Sequence, residues 1–250
     1  CALIPFITAG DPDLYSTEQV LRILDREGAD IIEIGVPYSD PLADGPMIQE
    51  ASRKALANGV TIEKILQLVA DISSDLRAPL ILFTYYNPIL SRGMERFSID
   101  IANAGIKGLI IPDLPLEESD YIIGLCSELS IELILLITPT SSSNRIASIL
   151  SKSSDVIYVV STIGVTGIRK EIHSEMREFI KKIKSQTDKL LILGFGISTV
   201  EHVNQVSKWD INGIVIGSAF VKLLAENNIN DQFQLLKNFC FSVKKALVDN

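Results

Sequence analysis

The sequence predicts an α/β fold: a (β/α)8 barrel of the TIM type, with an extra loop and helix after its second strand. Three observations predict it. Short runs rich in Ile, Leu and Val recur eight times along the 250 residues, amphipathic stretches separate them, and most follow at intervals of 23 to 33 residues. The runs lie near 3–8 (LIPFIT), 30–35 (DIIEIG), 80–85 (LILFTY), 108–112 (GLIIP), 132–137 (ELILLI), 155–160 (DVIYVV), 189–194 (KLLILG) and 213–217 (GIVIG). They are apolar almost throughout, as strands covered on both faces are, and do not alternate as half-solvated strands do. Eight such strands, each followed by a helix, close into a barrel.

Taken in order, the first strand leads to a helix whose start carries capping-box spacing, Ser16 followed by Gln19. The gap of about 50 residues between the second and third strands is the exception to the rhythm. It holds an extra loop and helix, near 36–60, before a helix that begins near Thr61. That helix bears the stripe Ile62, Ile65, Leu66, Val69 and Ile72, and a later one bears Ile172, Met176, Phe179, Ile180 and Ile183. A doubly wound open sheet would show a Gly-rich first turn, and Thr8-Ala9-Gly10-Asp11-Pro12 is not G-x-G-x-x-G. No low-complexity linker divides the chain, so one domain over residues 1–250 is expected. The chain opens at Cys1, directly inside a strand, which points to an incomplete N-terminus.

Composition removes whole classes of function. Acidic residues number 31 against 23 basic, a formal charge of −8, so nucleic-acid phosphates would be repelled. No uninterrupted apolar run approaches the length of a membrane helix. Cys1, Cys126 and Cys240 are too few and scattered for a disulfide framework or a metal knuckle. His173 and His202 lie 29 residues apart in polar stretches, which disfavours a His-based zinc site or triad. Chemistry must then run on carboxylates, hydroxyls and backbone amides, in a reducing compartment: cytosol, or equally a plastid stroma.

Glu33 interrupts Ile31-Ile32-Glu33-Ile34, and strand alternation puts it on the same face as Ile31. Facing the barrel interior near its C-terminal mouth, it would lose water, hold its proton more tightly and suit proton transfer near neutral pH. The alternative is a Glu on the helix-facing side, paired with a Lys or Arg. The next loop, Gly35 to Pro46, displays Asp40 and Asp44, and in a barrel it leaves the end of the strand where active sites are built. Asp44 is either a second acid/base group or, with Asp40, a turn former. Gly164-Val165-Thr166-Gly167, Gly194-Phe195-Gly196 and Gly217-Ser218-Ala219 follow the last three strands. Backbone amides at such places cradle phosphate. Trp209 reads as packing or surface filler, and Asp113 as a loop former or a partner contact. Lys107, Lys152 and Lys208 lie outside the strand runs, which disfavours a Schiff-base lysine.

These motifs resemble the tryptophan synthase α chain family. Pro5 to Pro12 is similar to its opening, and Ile32 to Pro46 to its most distinctive signature. Pro112 to Glu118 and the three glycine motifs follow in the family's order over almost the whole chain. The resemblance implies a lyase that cleaves indole-3-glycerol phosphate to indole and glyceraldehyde 3-phosphate, without metal or organic cofactor. It implies that Glu33 is the general acid/base at the glycerol hydroxyl and indole C3, and that Asp44 accepts the indole N–H. Phe6 and Tyr158 would line the indole pocket. Gly167, Gly196, Gly217 and Ser218 would cradle the phosphate. Thr166 would sit on a loop that closes over substrate and orients Asp44.

The resemblance also implies docking, as an α2β2 complex, on a β chain that carries pyridoxal phosphate. Asp40, Asn87, Pro88, Asp113 and Pro115 would form the contact. A stand-alone lyase without a β partner would carry the same catalytic residues. Three features depart from the family pattern: the chain begins within the first strand, where members carry a preceding helix; Thr162 stands where a basic residue is common; and Phe83 stands where a smaller aliphatic residue is expected.

Overall fold

The computed structural model describes residues 1–161, 174–194, 196–225 and 229–248. The strands are β1 (Ala2–Thr8), β2 (Ile32–Gly35), β3 (Leu80–Phe83), β4 (Gly108–Ile110), β5 (Glu132–Ile137), β6 (Val156–Val160), β7 (Leu190–Gly194) and β8 (Gly213–Ile216). All pair in parallel with their sequence neighbours, and β1 pairs with β8, so the sheet closes on itself. Each predicted strand is present, with ends within two residues of expectation.

The near-continuous apolar runs have a simple cause. Alternate residues turn inward, and Ile4, Phe6, Ile81, Phe83, Ile110, Ile134, Tyr158, Ile192 and Val215 fill the barrel as one buried cluster. The residues between them, such as Leu3, Ile7, Ile32, Ile34, Leu82 and Leu109, belong to a second, larger cluster under the helices. Both faces are covered along most of each strand, so few positions need polar residues.

The helices that shape the mouth follow from local chemistry. In α1 (Leu14–Arg26) the N-cap is Asp13, whose Oδ1 accepts the Ser16 N–H at 2.6 Å. The expected capping box at Ser16 is therefore displaced by three residues: the charged acceptor of Asp13 claims the first turn, and Ser16 is buried inside the helix. The inserted helix, α2 (Pro46–Ala57), starts on Pro46, whose missing N–H costs nothing at a helix N-terminus. The following helix, α3 (Ile62–Ile72), is capped by Thr61 as expected and buries Ile65, Leu66, Val69 and Ile72. After β3 come α4 (Tyr86–Arg92) and α5 (Met94–Asn103); α6 (Ser119–Glu128) and α7 (Ser143–Lys152) flank β5. Then α8 (Ser174–Lys184), α9 (Val200–Val206) and α10 (Ser218–Ala225) precede the long final helix, α11 (Ile229–Val248). Met176, Ile180 and Ile183 of the α8 stripe are buried as predicted, while Ile172 lies outside the described residues. Trp209 is buried packing.

Two polar ties fix the ring from outside. The Asp25 carboxylate accepts the N–H groups of Arg77 and Ala78, at 2.9 and 2.8 Å, and so anchors the approach to β3 on α1. Asp30 accepts the Leu3 N–H at 2.7 Å and pairs with Lys244 of α11.

Inside the barrel, one aromatic ring requires an empty position on the neighbouring strand. A Cβ on Gly35 would stand 2.4 Å from Cζ of Phe6. Gly35→Ala should therefore displace the ring and cost about 1–3 kcal/mol in urea unfolding. Adding Phe6→Leu should recover part of that loss; no recovery would place the strain elsewhere.

Candidate active site

Glu33 and Phe6 are direct partners across β1 and β2, and Glu33 faces Ile81 across β2 and β3. That register places the carboxyl among the inward-facing apolar residues and excludes the helix-facing alternative. Glu33 is 1% exposed, and its Oε2 has no hydrogen-bond partner among the described residues. Loss of water, reinforced by the nearby charge of Asp44, pushes its pKa up to about 8.

Asp44 reaches the same mouth from the loop between β2 and α2. Its amide turns back onto Pro41 O at 3.0 Å, and its carbonyl accepts the Gln49 side-chain amide at 3.0 Å. The carboxylate accepts the Tyr85 hydroxyl at 3.0 Å. Burial raises its pKa to about 6, with the Tyr85 hydrogen bond pulling the other way. Asp44 is thus more than a turn former, whereas Asp40 is exposed, its carboxylate accepting the neighbouring Ser39 hydroxyl at 2.8 Å and its carbonyl the Leu42 N–H at 2.9 Å.

Aromatic residues wall the pocket. Phe6 meets Phe83 edge-to-face at 5.7 Å, Phe83 meets Tyr85 likewise at 6.2 Å, and Tyr85 stacks on Tyr38 at 5.0 Å. Tyr158 is buried, and its hydroxyl occupies space that a side chain on Gly194 would fill: a Cβ there would stand 2.0 Å away. Burial first, then the charges of Glu33 and Asp44, hold its proton well above the usual phenol range. Phe6 and Tyr158 therefore stand near the two carboxyls.

At the ends of β7 and β8, Gly196 has a positive φ of 81° that favours glycine. Gly217 packs beside Phe6, where a Cβ would stand 3.4 Å from the ring. Ser218 opens α10 and is exposed. Thr166 and Gly167 lie outside the described residues, as do Phe195, Thr162 and His173. Asn87, Pro88, Asp113 and Pro115 sit on the segments that follow β3 and β4, beside the Asp40 loop after β2, so the five residues expected at a partner contact follow three successive strands. Asp113 accepts the Tyr86 N–H at 2.8 Å, the bond of a loop former. Among the described residues no group of three or more His, Cys, Asp or Glu could hold a metal ion.

Tyr85 escaped the sequence reading. The signal was present, because it continues the inward row Ile81, Phe83 by the same alternation that singled out Glu33.

The sequence matches the profile of the tryptophan synthase alpha chain family over residues 1–248. The chain belongs to the tryptophan synthase alpha chain family. The alpha chain of Pyropia yezoensis is 54% identical over 248 residues, covering 99% of this chain and 94% of that one. That of a Synechocystis strain is 51% identical over 247 residues, with coverage of 99% and 94%. Among solved structures, the tryptophan synthase α2β2 complex of Pyrococcus furiosus matches at a TM-score of 0.91 and 34% identity, covering 98% of each chain. The alpha subunit from Legionella pneumophila matches at 0.90 and 32%, covering 100% of this chain and 93% of that one. Membership of this family makes the chain a lyase of tryptophan biosynthesis, acting on indole-3-glycerol phosphate.

The desolvated carboxyl leaves a stability signature. Unfolded, Glu33 releases its proton near its ordinary value of 4.5; folded, it keeps it until about 8. Folding is therefore opposed increasingly between those values, and fully above them. Glu33→Gln should stabilise little at pH 5 and by a few kcal/mol, to order of magnitude, at pH 9. Thermal unfolding across that range measures it, and a gain independent of pH would show the carboxyl to be hydrated.

Proposed function

We propose that Glu33 and Asp44 together carry the retro-aldol cleavage of indole-3-glycerol phosphate, Glu33 as proton donor and acceptor and Asp44 as partner of the indole N–H. One observation carries this assignment: two carboxyls share the mouth, and their pKa values are about 8 and about 6. At neutral pH the pair then holds one proton, on Glu33, and one negative charge, on Asp44.

The reaction needs that division. Protonated Glu33 gives its proton to indole C3, and the positive charge that develops on the ring nitrogen is met by the Asp44 carboxylate. Glu33, now a carboxylate, takes the proton of the adjacent glycerol hydroxyl. The C–C bond breaks, its electron pair returns to the ring, and indole and glyceraldehyde 3-phosphate result. Glu33 ends as it began. Phe6 and Tyr158 bound the ring, and the low polarity around them strengthens each charge interaction.

Gly196, Gly217 and Ser218 supply backbone amides for the phosphate, with the N-terminal end of α10 favouring its charge. Thr166 and Gly167 join them on sequence grounds alone. The chemistry needs no cofactor on this chain; pyridoxal phosphate would belong to a β chain. We assign Asp40, Asn87, Pro88, Asp113 and Pro115 to the contact with that chain, supported by their place after three successive strands and by the likeness to solved complexes. Leu42, 92% exposed between Asp40 and Asp44, adds an apolar residue to that surface. No helix among the described residues is long and apolar enough to cross a membrane. With relatives in red algae and cyanobacteria, the cytosol or a plastid stroma is the compartment proposed.

Indole release tests the assignment. The dependence of kcat/KM on pH should be bell-shaped, falling below about 6 as Asp44 is protonated and above about 8 as Glu33 loses its proton. Glu33→Gln and Asp44→Asn should each lower kcat by roughly 10²–10⁴. Full activity in Glu33→Gln would overturn its role. A rate that rises on adding a β chain supports the complex, and an unchanged rate supports the stand-alone enzyme.

A further inference from the structure

Tyr85 stands two residues beyond Phe83 at the end of β3, is buried, and takes no part in the proton transfers described above. Its hydroxyl makes two bonds to consecutive residues of the loop after β2. It donates to the Asp44 carboxylate at 3.0 Å and accepts the Ala43 N–H at 3.0 Å. The loop's other bonds around these residues are short-range in sequence, Leu42 N–H to Asp40 O at 2.9 Å, Asp44 N–H to Pro41 O at 3.0 Å and the Gln49 side-chain amide to Asp44 O at 3.0 Å, and Leu42 is nearly fully exposed. Tyr85 itself is fixed on every side. Its ring lies between the face of Tyr38 and the edge of Phe83. The amide before it, Thr84 N–H, bonds to Ile110 O at 3.0 Å, and the amide after it, Tyr86 N–H, bonds to Asp113 at 2.8 Å. The stacked Tyr38 is in turn bonded by the Asn87 side-chain amide at 3.3 Å.

We propose that Tyr85 is a positioning residue: its hydroxyl clamps Ala43 and Asp44 to the rigid end of β3 and holds the Asp44 carboxylate in the barrel mouth. The inference rests on Asp44 being the carboxylate that meets the indole N–H. A loop-borne carboxylate samples many orientations, and each misplaced one forfeits stabilisation of the ring cation. A phenol tied to the barrel wall removes that freedom. It also favours the ionised acceptor, since its hydrogen bond is stronger to a carboxylate than to a carboxylic acid. Tyr85 can serve as donor throughout the working range, because burial, then the Asp44 charge, keep its own proton in place.

Tyr85→Phe tests this, because it removes the hydroxyl and keeps the stacked ring. The full chain with saturating β chain is assayed for indole release from pH 5 to 9, with thermal unfolding as a check on folding and Asp44→Asn alongside. We expect kcat at pH 7 to fall about tenfold or more with KM changed less than about threefold. The acid limb should move up by about one pH unit, since Asp44 loses a bond that favours its charge. A merely structural tyrosine would lower the unfolding temperature and leave the limb where it is. Site-specific 3-fluorotyrosine at position 85 keeps the ring and strengthens the donor, so it should move the limb the other way, even if Tyr85→Phe fails to fold. An unmoved limb in either variant, with Asp44→Asn inactive, overturns the role of Tyr85 and leaves that of Asp44 standing. Activity retained in Asp44→Asn would instead overturn the assignment on which it rests.

Discussion

Two carboxyl groups withdrawn from water at one barrel mouth oppose each other's ionisation, and much of the surrounding structure serves that opposition. Glu33 sits in a strand, fixed by the ladder on both sides, and its Oε2 has no hydrogen-bond partner among the described residues. Asp44 sits on a loop and receives a phenol hydroxyl. The difference in support separates two otherwise similar acids into a proton reservoir and an anion. Had both been solvated, both would be ionised at neutral pH, and neither could donate a proton to carbon.

The architecture was legible in the sequence because its cause is local and repeated. Burial of both sheet faces imposes continuous apolar runs, and helices between them impose a different period, so all eight strands could be placed. Glu33 was legible for the converse reason: a charge interrupting an apolar run contradicts its surroundings. Where two local signals competed, as between Asp13 and Ser16 at the first helix, spacing alone chose the weaker cap. Asp44 was readable as a candidate only, since its turn dipeptide suits a plain loop equally well. The bond that distinguishes it comes from Tyr85, 41 residues away, and arises only when β2 and β3 lie side by side. The partner-facing residues offered no signal of their own, because exposed Asp, Asn and Pro are ordinary loop composition; the family resemblance gathered them.

The interior is packed as pairs of opposites. Gly35 leaves space for Phe6, Gly194 for the Tyr158 hydroxyl, and Gly217 lies against Phe6 again. A barrel that must enclose a flat aromatic ring beside two carboxyls needs large planar walls, and neighbouring strands are too close to carry bulk at the same level. Glycine at alternating places resolves the conflict. Strand-end glycines thus yield room within the wall.

The pairing of β1 with β8 joins residues 2–5 to residues 213–216, and Asp30 to Lys244 spans still more of the chain. These contacts join residues far apart in sequence, so ring closure cannot precede the emergence of β8 from the ribosome. Until then β1 presents an open hydrogen-bonding edge, and the inner row from Ile4 to Phe6 lacks part of its cover. A nascent chain of this design waits, adhesive along one margin, for its last strand. Closure then removes that edge, and among the described residues the finished ring leaves no open strand edge with which a neighbouring copy could pair.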